Sequence, residues 1–182
     1  MVIDEELIKK CVNKEPAAQK LLYTQLAGKL FALCLRYTRD RTEAEDWLQE
    51  SFIKIFTNLH SFKFEGSFEG WAKRVVVNLI LSDMRKKKNV KFSDEIDDKD
   101  FYTLAEADSN IGHDELIRFI ALLPEGKKLI FNLSVIEGYS HKEIAETLNI
   151  TEGTSRGQLA KARELLIGIH KKHNAERVSR TY

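Results

Sequence analysis

Residues 139–167 read YSHKEIAETLNITEGTSRGQLAKARELLI, two helical patterns with almost nothing between them. Ser140 stands three residues before Glu143, the spacing at which two side chains cap each other's backbone N–H groups at a helix start. Ile144, Ala145 and Leu148 follow at helical intervals. Asn149-Ile150-Thr151 leaves room only for a tight corner, and Thr151 has the hydroxyl to cap a second helix. In that helix Ser155, Leu159, Ala162 and Leu166 recur every three or four residues and form the inward stripe. The other side shows Thr154, Gly157 and Lys161, flanked by Arg156, Gln158 and Ala160. Small residues beside hydrogen-bond donors on an exposed face let the backbone approach a large polyanion. This composition describes a helix-turn-helix whose second helix enters a DNA major groove. An ordinary corner between two packed helices satisfies the same periodicity, so the stretch by itself leaves both readings open.

Upstream, Leu116, Ile117, Phe119, Ile120 and Leu123 predict a helix that stops before Pro124. Lys127 to Glu137 predicts another, through Leu129, Ile130, Leu133 and Ile136, closed by Gly138. Downstream, IHKKHNAERVSRTY is a basic tail expected to fray. His170 and His173 stand three apart with no other ligand type beside them, so the spacing supports no metal site. Before His113 the periodicity fails. From Asn89 to Gly112 the chain is acidic, with Asp94, Glu95, Asp97, Asp98 and Asp100 close together, and reads as a flexible linker between two domains. A solvated tether and a segment lying in a partner's basic channel both fit that charge.

The first half carries four helical patterns. Asp4 to Asn13 turns Leu7, Ile8, Cys11 and Val12 inward. Pro16 opens a second helix, where its missing N–H costs nothing, and the pattern runs through Leu21, Leu22, Leu26, Leu30, Leu33 and Cys34 to about Thr38. Gly28 interrupts it at a cost of about 1 kcal/mol relative to alanine, which implies a close helix crossing. Thr42 and Glu45 have capping-box spacing and predict a helix from Glu43 to Leu59, with Ala44, Leu48, Phe52, Ile55 and Leu59 buried. Asp46, Gln49 and Glu50 share another face, which charge alone reads as a solvated acidic surface. HSFKFEGSFEGWAKR then gathers Phe62, Phe64, Phe68 and Trp71 around Gly66 and Gly70. A helix from Phe68 to Lys88 follows, with a core stripe of Phe68, Trp71, Ala72, Val75, Val76, Leu79 and Ile80. Arg74, Asn78, Ser82 and Arg85 form its polar stripe, and Arg85-Lys86-Lys87-Lys88 suits a helix C-terminus. Core packing accounts for these aromatics; so does single-stranded DNA binding, which pairs stacking rings with basic side chains.

At 182 residues, 43% hydrophobic and 31% charged, the chain is a globular protein of one domain or two small ones. Its formal net charge of +1 excludes a generally basic nucleic-acid coat. Two prolines and nine glycines leave room for long helices, and the β-branched residues sit inside helical patterns, so the expected class is all-α. Cys11 and Cys34 fit no metal or redox spacing and read as buried thiols of a reducing compartment. No apolar run is long enough to span a bilayer, and the acidic amphipathic start is unlike a secretory signal, so the expected location is cytoplasmic without membrane insertion. No carboxylate pair, nucleophile with base, phosphate-cradling loop or metal spacing is present, so no catalytic residue, metal or cofactor is assigned.

Taken in order, these pieces resemble an extracytoplasmic-function (ECF) sigma factor, the two-domain minimal class of the sigma-70 superfamily of bacterial RNA polymerase specificity subunits, over nearly the whole chain. DRTEAEDWLQESFIKIF resembles the σ2 segment that docks on the polymerase clamp. Trp71, Arg74, Asn78, Asp83 and Arg85 follow the σ2 pattern of Trp, basic residue, Asn, Asp and Arg. LPEGKKLIFNLSVIEGYSHKEIAETLNITEGTSRGQLAKARELL resembles σ4 over its full length. The resemblance implies a σ2-like helical domain at 1–88, a linker at 89–112, a σ4-like helix-turn-helix domain at 113–170 and a basic tail at 171–182.

It also implies roles. Asp46, Gln49 and Glu50 become contacts to core polymerase. Lys63 and Phe64, in the loop from Lys63 to Ser67, would hold a base extruded from the non-template strand, with Asn78 lining the pocket. Arg74 would face the start-proximal element, and Arg85, Lys86, Lys87 and Lys88 would hold phosphates. Thr154, Arg156, Gly157, Gln158, Ala160 and Lys161 would meet the upstream element, although Gly157 and Gln158 depart from the more basic versions of this helix. The implied partners are core polymerase, double- and single-stranded promoter DNA, and an anti-sigma factor. A free-standing helix-turn-helix regulator is the alternative, for which Asp46, Gln49 and Glu50 would be dispensable.

Overall fold

The computed structural model describes residues 3–38, 40–86 and 113–180, the side chains of 113, 114 and 176–180 excepted, and its regular elements are all helical. The chain divides into two compact units, Met1–Lys87 and Lys88–Tyr182. The expected linker, Lys87 and Lys88 lie outside the described residues.

In the first unit, α1 (Glu5–Val12) starts where Asp4 accepts the Leu7 N–H at 2.8 Å, and it buries Leu7, Ile8 and Cys11 against the next helix. Val12, expected inward, is the last helical residue, lies beyond that stripe and is exposed. Helix α2 (Pro16–Tyr37) buries Leu22, Leu26, Leu30, Leu33, Cys34 and Tyr37, spaced by three or four. No crossing occurs at Gly28: a side chain there would meet nothing within 4 Å, so the residue weakens the helix without serving a contact. Helix α3 (Arg41–Asn58) buries Ala44, Leu48, Phe52 and Ile55 as expected, together with Trp47 and Ser51. Its cap differs from the expectation. Asp40, not Thr42, accepts the N–H groups of Thr42 at 2.8 Å and Glu43 at 3.4 Å, while Glu45 pairs with Arg41. A carboxylate caps well because its charge also complements the positive helix end. A short tight turn, Leu59–Ser61, leads to the aromatic loop and α4 (Phe68–Lys86), which starts on Ser67 Oγ accepting the Gly70 N–H at 3.0 Å. Helices α2, α3 and α4 pack on one another and α1 packs on α2. The Trp47 indole N–H donates to Asp83 at 3.0 Å, joining α3 to α4.

The second unit has α5 (His113–Ala121), α6 (Glu125–Phe131), α7 (His141–Leu148) and α8 (Glu152–Arg180). Helix α6 widens into a π turn over Asn132–Ile136, closed by the Glu137 N–H to Asn132 carbonyl bond at 2.9 Å, and Gly138 ends it at φ +77°. The extra residue in that turn rotates Ile136 off the buried stripe, where it was expected, into solvent. Leu116 and Ile117 are also exposed: with Phe119 and Ile120 they make an apolar arc wider than one packed helix covers, and only the latter two are buried. Lys127, where the expected helix begins, is buried. Helix α8 is the spine on which α5, α6 and α7 pack. It continues through the expected fraying tail to Arg180. The tail is tied back on α5, where the Phe119 ring meets those of His170 and His173 edge-on and His173 Nδ1 lies 2.9 Å from Glu115. No helix among the described residues is long and apolar enough to cross a membrane.

Candidate nucleic-acid and partner interfaces

The helix-turn-helix is closed by three local devices. Ser140 Oγ accepts the Glu143 N–H at 3.2 Å and the Glu143 carboxylate accepts the Ser140 N–H at 2.8 Å, completing the capping box that starts α7. Asn149 ends α7 in the left-handed region at φ 54°. Thr151 Oγ1 then accepts the Thr154 N–H at 3.0 Å and starts α8. Ser155, Leu159 and Ala162 are buried, and Leu166 half-buried. A link absent from the sequence reading holds the two helices: His141 Nδ1 lies 2.8 Å from Ser155 Oγ. The signal for it was Ser155 itself, a hydroxyl in a buried stripe, which needs a partner.

Thr154, Arg156, Gly157, Ala160 and Lys161 are exposed along α8. Gly157 has open space where a side chain would stand, so packing does not demand a glycine there and the bare backbone is left approachable. Arg156 is engaged by Glu152 one turn earlier. Gln158 departs from the expected exposed flank: it is half-buried, with Oε1 enclosed and lacking a hydrogen-bond partner. Its place three residues after Ser155 and four before Ala162 puts it at the edge of the inward stripe.

In the first unit, Asp46, Gln49 and Glu50 are exposed together on α3, with Glu50 3.4 Å from Lys54. The aromatic loop is largely self-packed, the Phe62 ring contacting those of Phe64, Phe68 and Trp71 at 5.0, 5.2 and 5.7 Å. Phe64 nonetheless stays 45% exposed and takes φ +60°, a left-handed conformation rare for such a residue, and Gly66 follows at φ +103°. A cavity of 460 Å³ opens beside Phe64, floored by Ile8, Gln25 and Leu26 of α1 and α2. Lys63 is exposed on the loop. Arg74 and Asn78 are exposed on α4 and are not among the residues lining this cavity. Arg85 and Lys86 are exposed at the end of α4, and Arg85 Nε donates to the Leu81 carbonyl at 3.3 Å.

At the foot of α4, Glu69 is held between Lys29 of α2 and Lys73 of its own helix. Hydrogen bonds from Lys29 and then Lys73 keep its carboxyl below the usual range. Both cysteines are free and buried; burial raises Cys11 and pushes Cys34 up to about 11, which leaves the thiols unreactive. No group of histidine, cysteine and carboxylate side chains among the described residues could hold a metal ion.

Two family models match in chain order: Sigma-70 region 2 over residues 22–90, and Sigma-70, region 4 over residues 113–166. The ECF RNA polymerase sigma-E factor of Haemophilus influenzae is 30% identical over 176 residues, covering 90% of this chain and 93% of that protein. The ECF RNA polymerase sigma factor SigW of Bacillus subtilis is 28% identical over 179 residues, covering 89% and 96%. The ECF RNA polymerase sigma factor SigE of Mycolicibacterium smegmatis is 30% identical over 162 residues, and the chain spans 62% of its length. Among solved structures, the sigma factor RpoE in complex with the anti-sigma factor NepR from Bartonella quintana aligns with a TM-score of 0.53 at 19% identity, over 84% of this chain and 96% of that one. CnrH in complex with the cytosolic domain of CnrY aligns with the same TM-score and identity, over 93% and 97%. At that identity the structures attest to the helical fold, while the family follows from the relative in Haemophilus, matched over nearly its full length: the chain belongs to the ECF RNA polymerase sigma factors of the sigma-70 family.

Proposed function

We propose that this chain directs bacterial core RNA polymerase to specific promoters and starts transcription there, acting in the cytoplasm as a DNA-binding subunit with no catalysis of its own. The observation that carries the reading is the pairing, on one member of this family, of a capped helix-turn-helix with an exposed Asp46-Gln49-Glu50 face in the other unit. Residues 1–88 serve as the polymerase-binding and start-proximal domain, 89–112 as the linker, and 113–170 as the upstream-element domain.

Helix α8 enters the major groove with Thr154, Arg156, Gly157, Ala160 and Lys161 toward the DNA. Arg156 or Lys161 is suited to guanine, and the small residues let the backbone approach phosphates. A glutamine reads adenine with both amide atoms, so with Oε1 enclosed Gln158 serves at the groove edge rather than as a bidentate reader. In the first unit, Lys63 and Phe64 receive an extruded base. Unstacking costs a few kcal/mol, offset by stacking and edge hydrogen bonds. Arg74, Asn78 and the basic run Arg85 to Lys88 hold the adjoining strand. An anti-sigma protein is the proposed regulator.

The test is binding of the purified full chain to bacterial core polymerase, followed by transcription from genomic fragments with and without it. Tight binding and new start sites are the expected result. Binding to DNA without binding to core polymerase would make the chain a free-standing regulator.

A further inference from the structure

Ile53 leaves 66% of its surface in water on the same helix where Ile55 is fully buried. Nothing within the fold accounts for an isoleucine there. A β-branched residue is a mediocre helix former, and an exposed one gains no burial in return. Its position is specific, however. Asp46, Glu50 and Ile53 follow one another at i, i+4 and i+7 along α3, and Gln49 precedes Ile53 by four residues. The three polar side chains proposed to meet polymerase therefore converge on this one apolar group.

The apolar surface also continues beyond Ile53. Phe56, three residues on, is half-buried and contacts the Phe52 ring at 5.9 Å. The Tyr23 ring of α2 also lies against that of Phe52, at 4.5 Å, and Tyr23 remains 44% exposed. An apolar centre with a polar, mostly acidic margin is the anatomy of a protein interface, in which a few central side chains carry most of the affinity. Lys54 offsets Glu50 in part, which leaves Asp46 to give the margin its sign and Gln49 to add a neutral polar group.

We infer that Ile53 is the apolar anchor of the polymerase-facing surface, entering an apolar pocket that core polymerase rims with basic side chains. The inference rests on the reading of α3 as the polymerase-binding helix. It assigns the two kinds of residue different work: Asp46 and Glu50 steer encounter and set orientation, whereas Ile53 holds the complex once formed.

The experiment titrates the full-length chain with core polymerase at two salt concentrations, comparing Ile53→Ala, Ile53→Val and Asp46→Lys/Glu50→Lys, with thermal melts of each variant. Ile53→Ala is expected to weaken affinity on the order of tenfold, through faster dissociation, with an unchanged salt dependence and melting temperature. Ile53→Val should recover most of the loss. The charge-reversed pair should lose affinity with a changed salt dependence. If the charge reversal abolishes binding while Ile53→Ala binds like the parent, the anchor is refuted and the reading of α3 stands. If no variant affects binding, both fall. Should Ile53→Ala alter only self-association of the free chain, Ile53 covers a second copy and the inference is overturned.

Discussion

His141 Nδ1 lies 2.8 Å from Ser155 Oγ, joining the first turn of α7 to the buried face of α8 across fourteen residues of sequence. Ser155 is wholly enclosed, so its hydroxyl has no water to turn to. Replacing His141 with alanine leaves that group unsatisfied, at a cost of about 1–3 kcal/mol. Urea melts of the full chain should show that loss for His141→Ala. Adding Ser155→Ala should cost little more, because the bond is already gone; strictly additive effects would mean the two side chains do not act together. Promoter binding should weaken in the same variants, since the link holds the groove-facing helix in its place.

Asn149 makes the corner of the helix-turn-helix with φ 54°. Asparagine tolerates this conformation and glycine does so at no steric cost, whereas a β-branched side chain does not. Asn149→Gly should keep stability within a few tenths of a kcal/mol, and Asn149→Val should lower it by about 1–2 kcal/mol. Equal stability of the two variants, measured by chemical denaturation, would rule out the left-handed corner.

Local signals of the fold were legible in the residues that announce their own backbone geometry. Ser140 with Glu143, Thr151 and Gly138 each stand where the chain turns, because capping and left-handed φ are set by one or two neighbouring residues. One local signal was misplaced, because Asp40 and Thr42 both offer a capping oxygen and the carboxylate takes the place. What depends on packing was not legible: Gly28 faces open space, and Ile136 is rotated outward by a π turn that spacing alone does not reveal. The tail reads as frayed because its charges dominate the pattern, yet Phe119 of α5 meets His170 and His173 and holds it helical. The same division runs through the candidate interfaces. Exposure of Asp46 and Lys161 follows from helical periodicity, whereas the enclosure of Gln158 and the exposure of Ile53 depend on how wide a stripe the neighbouring helices cover.

Glu69 joins α2 to α4 through Lys29, and its carboxyl is held low first by the Lys29 hydrogen bond and then by Lys73. A carboxyl with a depressed folded-state pKa stabilises the fold when ionised. The contribution is therefore complete above the ordinary value of 4.5 and is lost as pH falls through the lower folded value. The parent chain should be more stable than Glu69→Gln at neutral pH, and the difference should close in acid. High salt should shrink it as well, because the lysines are solvent-exposed. A difference that persists at pH 2–3, roughly, would mean that Glu69 acts through packing rather than charge.

Asp46 and Glu50 are exposed on α3, and neither contributes to the packed stripe of Ala44, Leu48, Phe52 and Ile55. Reversing both to lysine should sharply weaken binding to core polymerase and change its salt dependence, while leaving the circular dichroism spectrum and melting temperature close to those of the parent. Surface charge changes away from packed features alter stability by only about 0.5 kcal/mol. Normal binding by the doubly reversed variant would remove α3 from the polymerase interface.

Lys161 is exposed on α8, nearly three turns beyond the Thr151 cap and on the side of the helix that also carries Thr154 and Gly157. Among these side chains it alone carries a positive charge, so its removal tests the orientation of the helix in the groove. If Lys161 neutralises a phosphate, binding releases one counterion on its account, and Lys161→Ala should lower the slope of log affinity against log salt by about one. If it pairs with a base edge instead, the slope should change little while discrimination against a substituted promoter falls by about 1–3 kcal/mol at one position. Titrations of a promoter duplex and a scrambled duplex at several salt concentrations separate the two. An unchanged slope with unchanged discrimination would place Lys161 away from DNA, and with it the face of α8 assigned to the groove.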